Sequence, residues 1–134
     1  MRRSVGWESI AVVFGLGSRE REMAVVNFKV ARQKLMQAAV LNKIDREHLA
    51  LDTDPIRRSL RTVREHVSRS PYFTEMLDRW EQIVRDNEVE AFRRIVAADD
   101  ETGNGMRNLS PLGVLLTEDE RLQVIEELRA LVRR

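Results

Sequence analysis

Arg61 and His66, with four residues between them, are the arginine and histidine of this sequence whose spacing could suggest a catalytic pair. The pair falls in an arginine-rich run, which generates such spacings readily, so catalysis is the lesser reading. His48 follows Glu47 as His66 follows Glu65, and neighbours in sequence point different ways on a helix, so these residues assemble no metal site. Cysteine is absent, which removes disulfides, thiolate metal sites and cysteine nucleophiles together and fits a cytoplasmic protein. Gly15-Leu16-Gly17 lacks the further glycines and the lysine of a phosphate loop and reads as a break between helices. No catalytic group, metal or cofactor is assigned, and the expected function is binding.

The chemistry of binding sits in the same stretch. Arg57, Arg58, Arg61, Arg64 and Arg69 face a single acid, Glu65, within residues 55–71. Arginines of this density neutralise phosphates and supply the salt-dependent part of DNA affinity. The whole chain carries a net charge of only +1, yet residues 1–71 hold 14 Lys/Arg against 8 Asp/Glu and residues 72–134 hold 9 against 14. A basic half joined to an acidic half suits a protein that meets DNA at one end and a protein partner at the other. The alternative is two halves of one domain attracting each other.

Helices must position these groups. With 43% hydrophobic and 34% charged residues in 134, the chain reads as an all-α, compact multi-helix domain. Asp54 caps a helix with Pro55 at its start, and Ile56, Leu60, Val63 and Val67 make its apolar stripe. Ser70-Pro71 opens the next helix, which buries Phe73, Met76, Leu77, Trp80, Ile83 and Val84. Two helices joined by the short turn Ser68–Ser70 form a candidate helix-turn-helix over 54–86. In that reading Tyr72, Thr74 and Glu75 approach base edges, and Arg69 and Ser70 hold phosphate.

Residues 1–50 form an N-terminal helical region. A short segment around Trp7, Ile10, Val13 and Phe14 precedes a long helix from Ser18 to about Asn42, and a short helix covers 45–51. On the long helix Ala24, Phe28, Ala31, Leu35, Ala38 and Ala39 line one side, with Lys29, Arg32, Gln33 and Gln37 opposite. Its alanines admit close approach of another helix, so a homo-oligomer, most simply a homodimer, is expected. In the C-terminal region, 87–134, Asn87 and Glu90 read as a capping pair for a helix over 88–98. Residues 99–108 read as a loop, Ser110-Pro111 opens a brief turn, and Thr117 with Glu120 caps a helix over 118–132 that turns Leu122, Ile125, Leu128, Leu131 and Val132 inward. No apolar run approaches the ~20 residues that cross a membrane, and Glu8 with a short apolar core argues against a secretory signal.

Two families share local patterns with this chain. From Asn87 onward, NEVEAFRRIV, a Gly/Asn loop and SPLGVLLTEDERLQVIEELRAL together resemble the toxin-binding domain of Xre/ParS-type antitoxins. Pro111, Leu112, Val114, Leu115 and Thr117 match its turn, and Val124 and Leu128 match the apolar pair of its closing helix. The resemblance implies a regulator that binds its operator through a helix-turn-helix and a partner protein through Pro111, Leu112, Leu115, Val124 and Leu128. Ile95 stands where that family tends to carry tryptophan, and Glu120 replaces a glycine. The Arg61/His66 spacing is similar to the R-x4-H motif of HEPN-type ribonucleases, with Thr62 at a position that family fills with an amide or acid; the resemblance implies that Arg61 would stabilise a scissile phosphate and His66 would assist proton transfer. The expected function is thus a non-catalytic DNA-binding regulator that engages a partner protein. A helical adaptor with no nucleic-acid role is the alternative, and a ribonuclease the lesser one.

Overall fold

The side chains that close each helix explain where the chain turns. The computed structural model describes residues 18–133, with side chains from Phe28 onward. The Trp7–Phe14 segment, Gly15–Gly17 and the inward placement of Ala24 lie outside what it describes. Helix α1 (Ser18–Glu47) is followed by α2 (Asp54–His66), α3 (Pro71–Arg85), α4 (Val89–Ala97), α5 (Glu101–Asn108), a 3-10 turn (Pro111–Leu115) and α6 (Glu118–Val132). The protein is all-α, with no strand among the described residues. None of its helices there is long and apolar enough to cross a membrane.

Helix α1 does not stop at Asn42, and residues 45–51 do not form a helix of their own. Leu41 and Ile44 are buried, so packing carries the helix through Asn42 to Glu47. There His48 takes the left-handed conformation at φ 54°, and the Leu49 N–H donates to the Ile44 carbonyl at 3.2 Å. That 6→1 bond, with half-buried Leu49 beside Ile44, is a Schellman ending built on a histidine instead of a glycine. The core line of α1 is Met36, Val40, Leu41 and Ile44, and Gln37 is buried with them. Phe28, Ala31, Leu35, Ala38 and Ala39 flank that line half-exposed, so the apolar stripe is rotated from its expected position.

The same device ends α3. Asn87, expected to cap the next helix, sits at φ 51°. Its N–H bonds the Val84 carbonyl and the Glu88 N–H bonds that of Ile83. Its side-chain oxygen accepts from the Leu51 N–H at 2.9 Å, pinning the α1–α2 connection. Thr53, not Asp54, is the residue preceding α2, whereas Ser70 caps α3 through the Phe73 N–H as expected. Helix α6 starts with the expected capping box between Thr117 and Glu120.

Residues 99–108 are the largest departure, because most of them form α5. Asp100 accepts from the Gly103 N–H at 2.7 Å, so the acidic run that reads as a loop is instead an N-cap. Burial of Met106 and Leu109 fastens the helix to the core. Its glycines serve close approach: a Cβ at Gly103 would lie 2.6 Å from the Ala98 Cβ, whereas one at Gly113 meets nothing within 4 Å. Alanine in a helix is ordinarily favoured over glycine by about 1 kcal/mol. Gly103→Ala should nevertheless destabilise by about 1–3 kcal/mol, because the α4–α5 junction must open. Gly113→Ala should be close to neutral, and urea unfolding of the two variants checks the contrast.

Trp80, Phe92, Ile56, Ile83 and Leu112 form the fully buried centre. The Trp80 and Phe92 rings lie 5.9 Å apart, and the Trp80 indole N–H donates to the Met106 carbonyl at 2.9 Å. All three regions expected from the sequence contribute to this one core. On α6, Val124 and Leu128 are buried while Leu122 and Leu131 are 50% and 53% exposed, so its inward face is also rotated from the expected one.

Lys43 joins three elements, donating to the Leu115 carbonyl at 2.8 Å and to Glu120 at 2.6 Å. The Lys43 ammonium, then the Thr117 backbone N–H, holds the Glu120 carboxyl down at about 2. A folded-state value below the unfolded one, near 4.3, stabilises fully above about pH 5 and is lost as pH falls through about 2. The stability difference between the native chain and Glu120→Gln should be constant at neutral pH and close in that acid window, as urea unfolding across pH would show.

Candidate nucleic-acid interface

Spacings of four and three place Arg57, Arg61 and Arg64 on one side of α2. The turn at residues 67–70 folds α3 back alongside, and a cleft of about 380 Å³ opens between the two helices. Arg57, Arg61 and Arg64 line it from α2, and Arg85 from α3. Leu60 and Val84 form its floor, with Asp52 and Glu81 as its two carboxylates. Four cations over two anions leave the cleft positive. Arg85 was not expected from the sequence, since it lies well beyond the arginine-rich run, and only packing of α3 on α2 brings it in.

The cleft is partly occupied by the chain's own acids. Arg57 meets Asp52 at 2.5 Å, and Arg64 reaches both Asp78 at 2.9 Å and Glu81 at 2.8 Å. Arg85 lies 3.5 Å from neighbouring Asp86. Arg58, Arg61 and Arg69 are exposed and make no ion pair among the described residues. Exposed pairs of this kind are worth little in water, so a phosphate can compete for Arg57 and Arg64.

Helix α3 is less suited to a groove. Tyr72 is 48% exposed, its ring edge-on to Phe73, and Thr74 is exposed, so both residues are accessible. The other exposed residues of the helix include Glu75, Asp78 and Glu81, with Gln82 and Arg85 toward its end. Those carboxylates would meet the phosphate walls of a major groove. Arg79, the first basic residue of α3, turns toward Glu88 at 3.4 Å.

Arg61 and His66 are not brought onto one face. Five residues along a continuous helix rotate by about 140° from alignment. The His66 Nδ1 donates to the Thr62 carbonyl at 2.8 Å, which ties the ring to its own helix. Among the described residues no three His, Asp or Glu side chains gather where they could hold a metal.

The residues expected to bind a protein partner are mostly interior. Pro111 and Leu112 are fully buried, Val124 and Leu128 nearly so, and Leu115 is half-buried. They hold the 3-10 turn and α6 to the body of the domain, because an apolar pair spaced for a partner serves the chain's own core equally well. The half-exposed apolar side chains of this region are Val114, Leu122 and Leu131. Comparison of the chain with protein-family models, curated proteins and solved structures finds no match.

Proposed function

We propose that this chain is a non-catalytic helical module that binds nucleic acid through its phosphates, at the α2–α3 cleft. The observation that carries this reading is the convergence of Arg57, Arg61, Arg64 and Arg85 on one cleft, with Arg58 and Arg69 exposed and without a carboxylate partner among the described residues. The unpaired arginines provide long-range attraction, and Arg57 and Arg64 exchange a weak exposed carboxylate for a phosphate as the complex closes. The acids of α3 keep that helix out of a groove, so contact with the backbone dominates and sequence is read weakly. A regulator of the Xre/ParS kind, cytoplasmic and homo-oligomeric, fits within this proposal. Its protein partner would then meet Val114, Leu122 and Leu131 and not the buried residues beneath them.

The test is fluorescence anisotropy with a labelled duplex between about 50 and about 200 mM salt. Five or six phosphate contacts predict that log K falls against log salt with a slope of about −5. Binding that ignores salt, or no binding at the lowest salt, would remove the proposal. One observation favours a second reading, an adaptor with no nucleic-acid role: Asp52, Asp78 and Glu81 already satisfy two of the arginines. An adaptor predicts no retention on the same duplex.

A further inference from the structure

Helix α1 carries apolar side chains on two opposite sides. Met36, Val40 and Ile44 belong to the core. Leu35 lies nine residues from Ile44, which at about 100° per residue places it half a turn away around the axis. Phe28, Ala31, Leu35 and Ala38, at spacings of three, four and three, form this outer line, and all four are only half-buried. Such spacing belongs to a helix that packs along a second helix.

Helix α6 flanks that line, and a groove of about 490 Å³ runs between the two helices. Leu35, Ala38, Ala39 and Val124 supply apolar lining, and Asp119 and Glu127 stand on its α6 side. Neither acid makes an ion pair among the described residues, whereas Arg46 and Glu120, at one end of the groove, already meet at 3.8 Å. Arg32, three residues before Leu35, is exposed and also without an ion pair among the described residues. Another copy of α1 suits this surface. Placed antiparallel and centred on Gln33, two copies set Phe28 of one against Ala38 of the other, and Ala31 against Leu35, a large side chain against a small one at each level. The same arrangement carries Arg32 of each copy toward Glu127 of the other. A two-fold contact must be complementary to itself, and this surface is so in both shape and charge.

We propose that a second copy of this chain docks here, the two α1 helices antiparallel across a two-fold axis and Phe28 of each copy on the Ala38 and Ala39 floor of the other. This face shares no residue with the arginine cleft, so either proposal can fail alone. Sedimentation of the full chain without nucleic acid, across about 5 to 500 μM, tests it. The mass should reach two chains and go no further, since a two-fold contact closes on itself. Phe28→Glu should weaken the dimer by about 100-fold, because it sets a charge on each alanine floor. Helical circular dichroism should persist, since Phe28 is half-exposed and outside the core. Arg32→Glu and Glu127→Arg, both at exposed positions, should each weaken the dimer by about tenfold, and the two changes together should restore it to within about threefold. Roles confined to the folding of one copy would not produce that rescue. A mass of one chain at the highest concentration, which would leave the face to a different protein, a mass beyond two chains, a dimer indifferent to Phe28→Glu, or no rescue by the double change would each overturn the proposal.

Discussion

Arg107→Met should lower the unfolding free energy by about 3 kcal/mol, although it removes a desolvated charge from the interior. Burial pulls the Arg107 guanidinium below its ordinary pKa, opposed by Asp99 and Asp100, so the charge itself is under strain. What the side chain stabilises is the end of α4. The last carbonyls of a helix have no intrahelical partner, and the Ile95 and Ala98 oxygens are both taken by Nη1. A cation at this end also opposes the negative pole of the helix. Methionine fills the space but leaves those oxygens without donors, at about 1–3 kcal/mol for each buried group. Arg107→Lys should fall between the two, because an ammonium cannot reproduce the planar fork that reaches carbonyl and amide together. Urea unfolding measures all three proteins. If methionine proved as stable as arginine, the carbonyl bonds would be incidental and the residue would have to be retained for another reason.

Arg107 also shows where the sequence stopped being legible. It lies in DDETGNGMRN, whose acids, asparagines and glycines signal a loop at every position, and a helix there depends on Asp100 capping Gly103 and on contact with Ala98 and Met76. By contrast, α2, α3 and α6 were readable because their ends carry local chemistry. Ser70-Pro71 and the Thr117/Glu120 box need no tertiary partner to act. The helix ends at His48 and Asn87 were not readable, since both use the left-handed conformation without the glycine that usually announces it. Asn87 is ambiguous in particular, as the same residue type opens helices. The arginine stripe on α2 was visible as spacing. Its partial masking was not, because Asp78 and Glu81 come from α3 and only the fold of the turn brings them to Arg64.

That masking decides which arginines should matter most. Changing Arg58, Arg61 and Arg69 together to glutamate should weaken duplex binding by about 100-fold near physiological salt and flatten the log–log salt slope by close to 3, at ~0.9 per phosphate contact. These three have no carboxylate partner to lose among the described residues, so their charge is available to a phosphate. They are also exposed and away from the buried Ile56 and Leu60, so the fold should survive, which circular dichroism would verify. Arg57→Gln with Arg64→Gln should cost less affinity, because each residue gives up a carboxylate to reach the ligand. The same double change frees Asp52, Asp78 and Glu81 and makes the cleft more negative. Its residual loss should therefore persist at low salt, where screening no longer hides those acids. The order of the two variants separates the surfaces. Should the Arg57/Arg64 double variant be the more damaging, the ion pairs would be part of the binding surface and not competitors with it, and the phosphate-exchange step would have to be abandoned. Should neither variant move the salt slope, the polyanion would meet some other face, and the adaptor reading would take precedence.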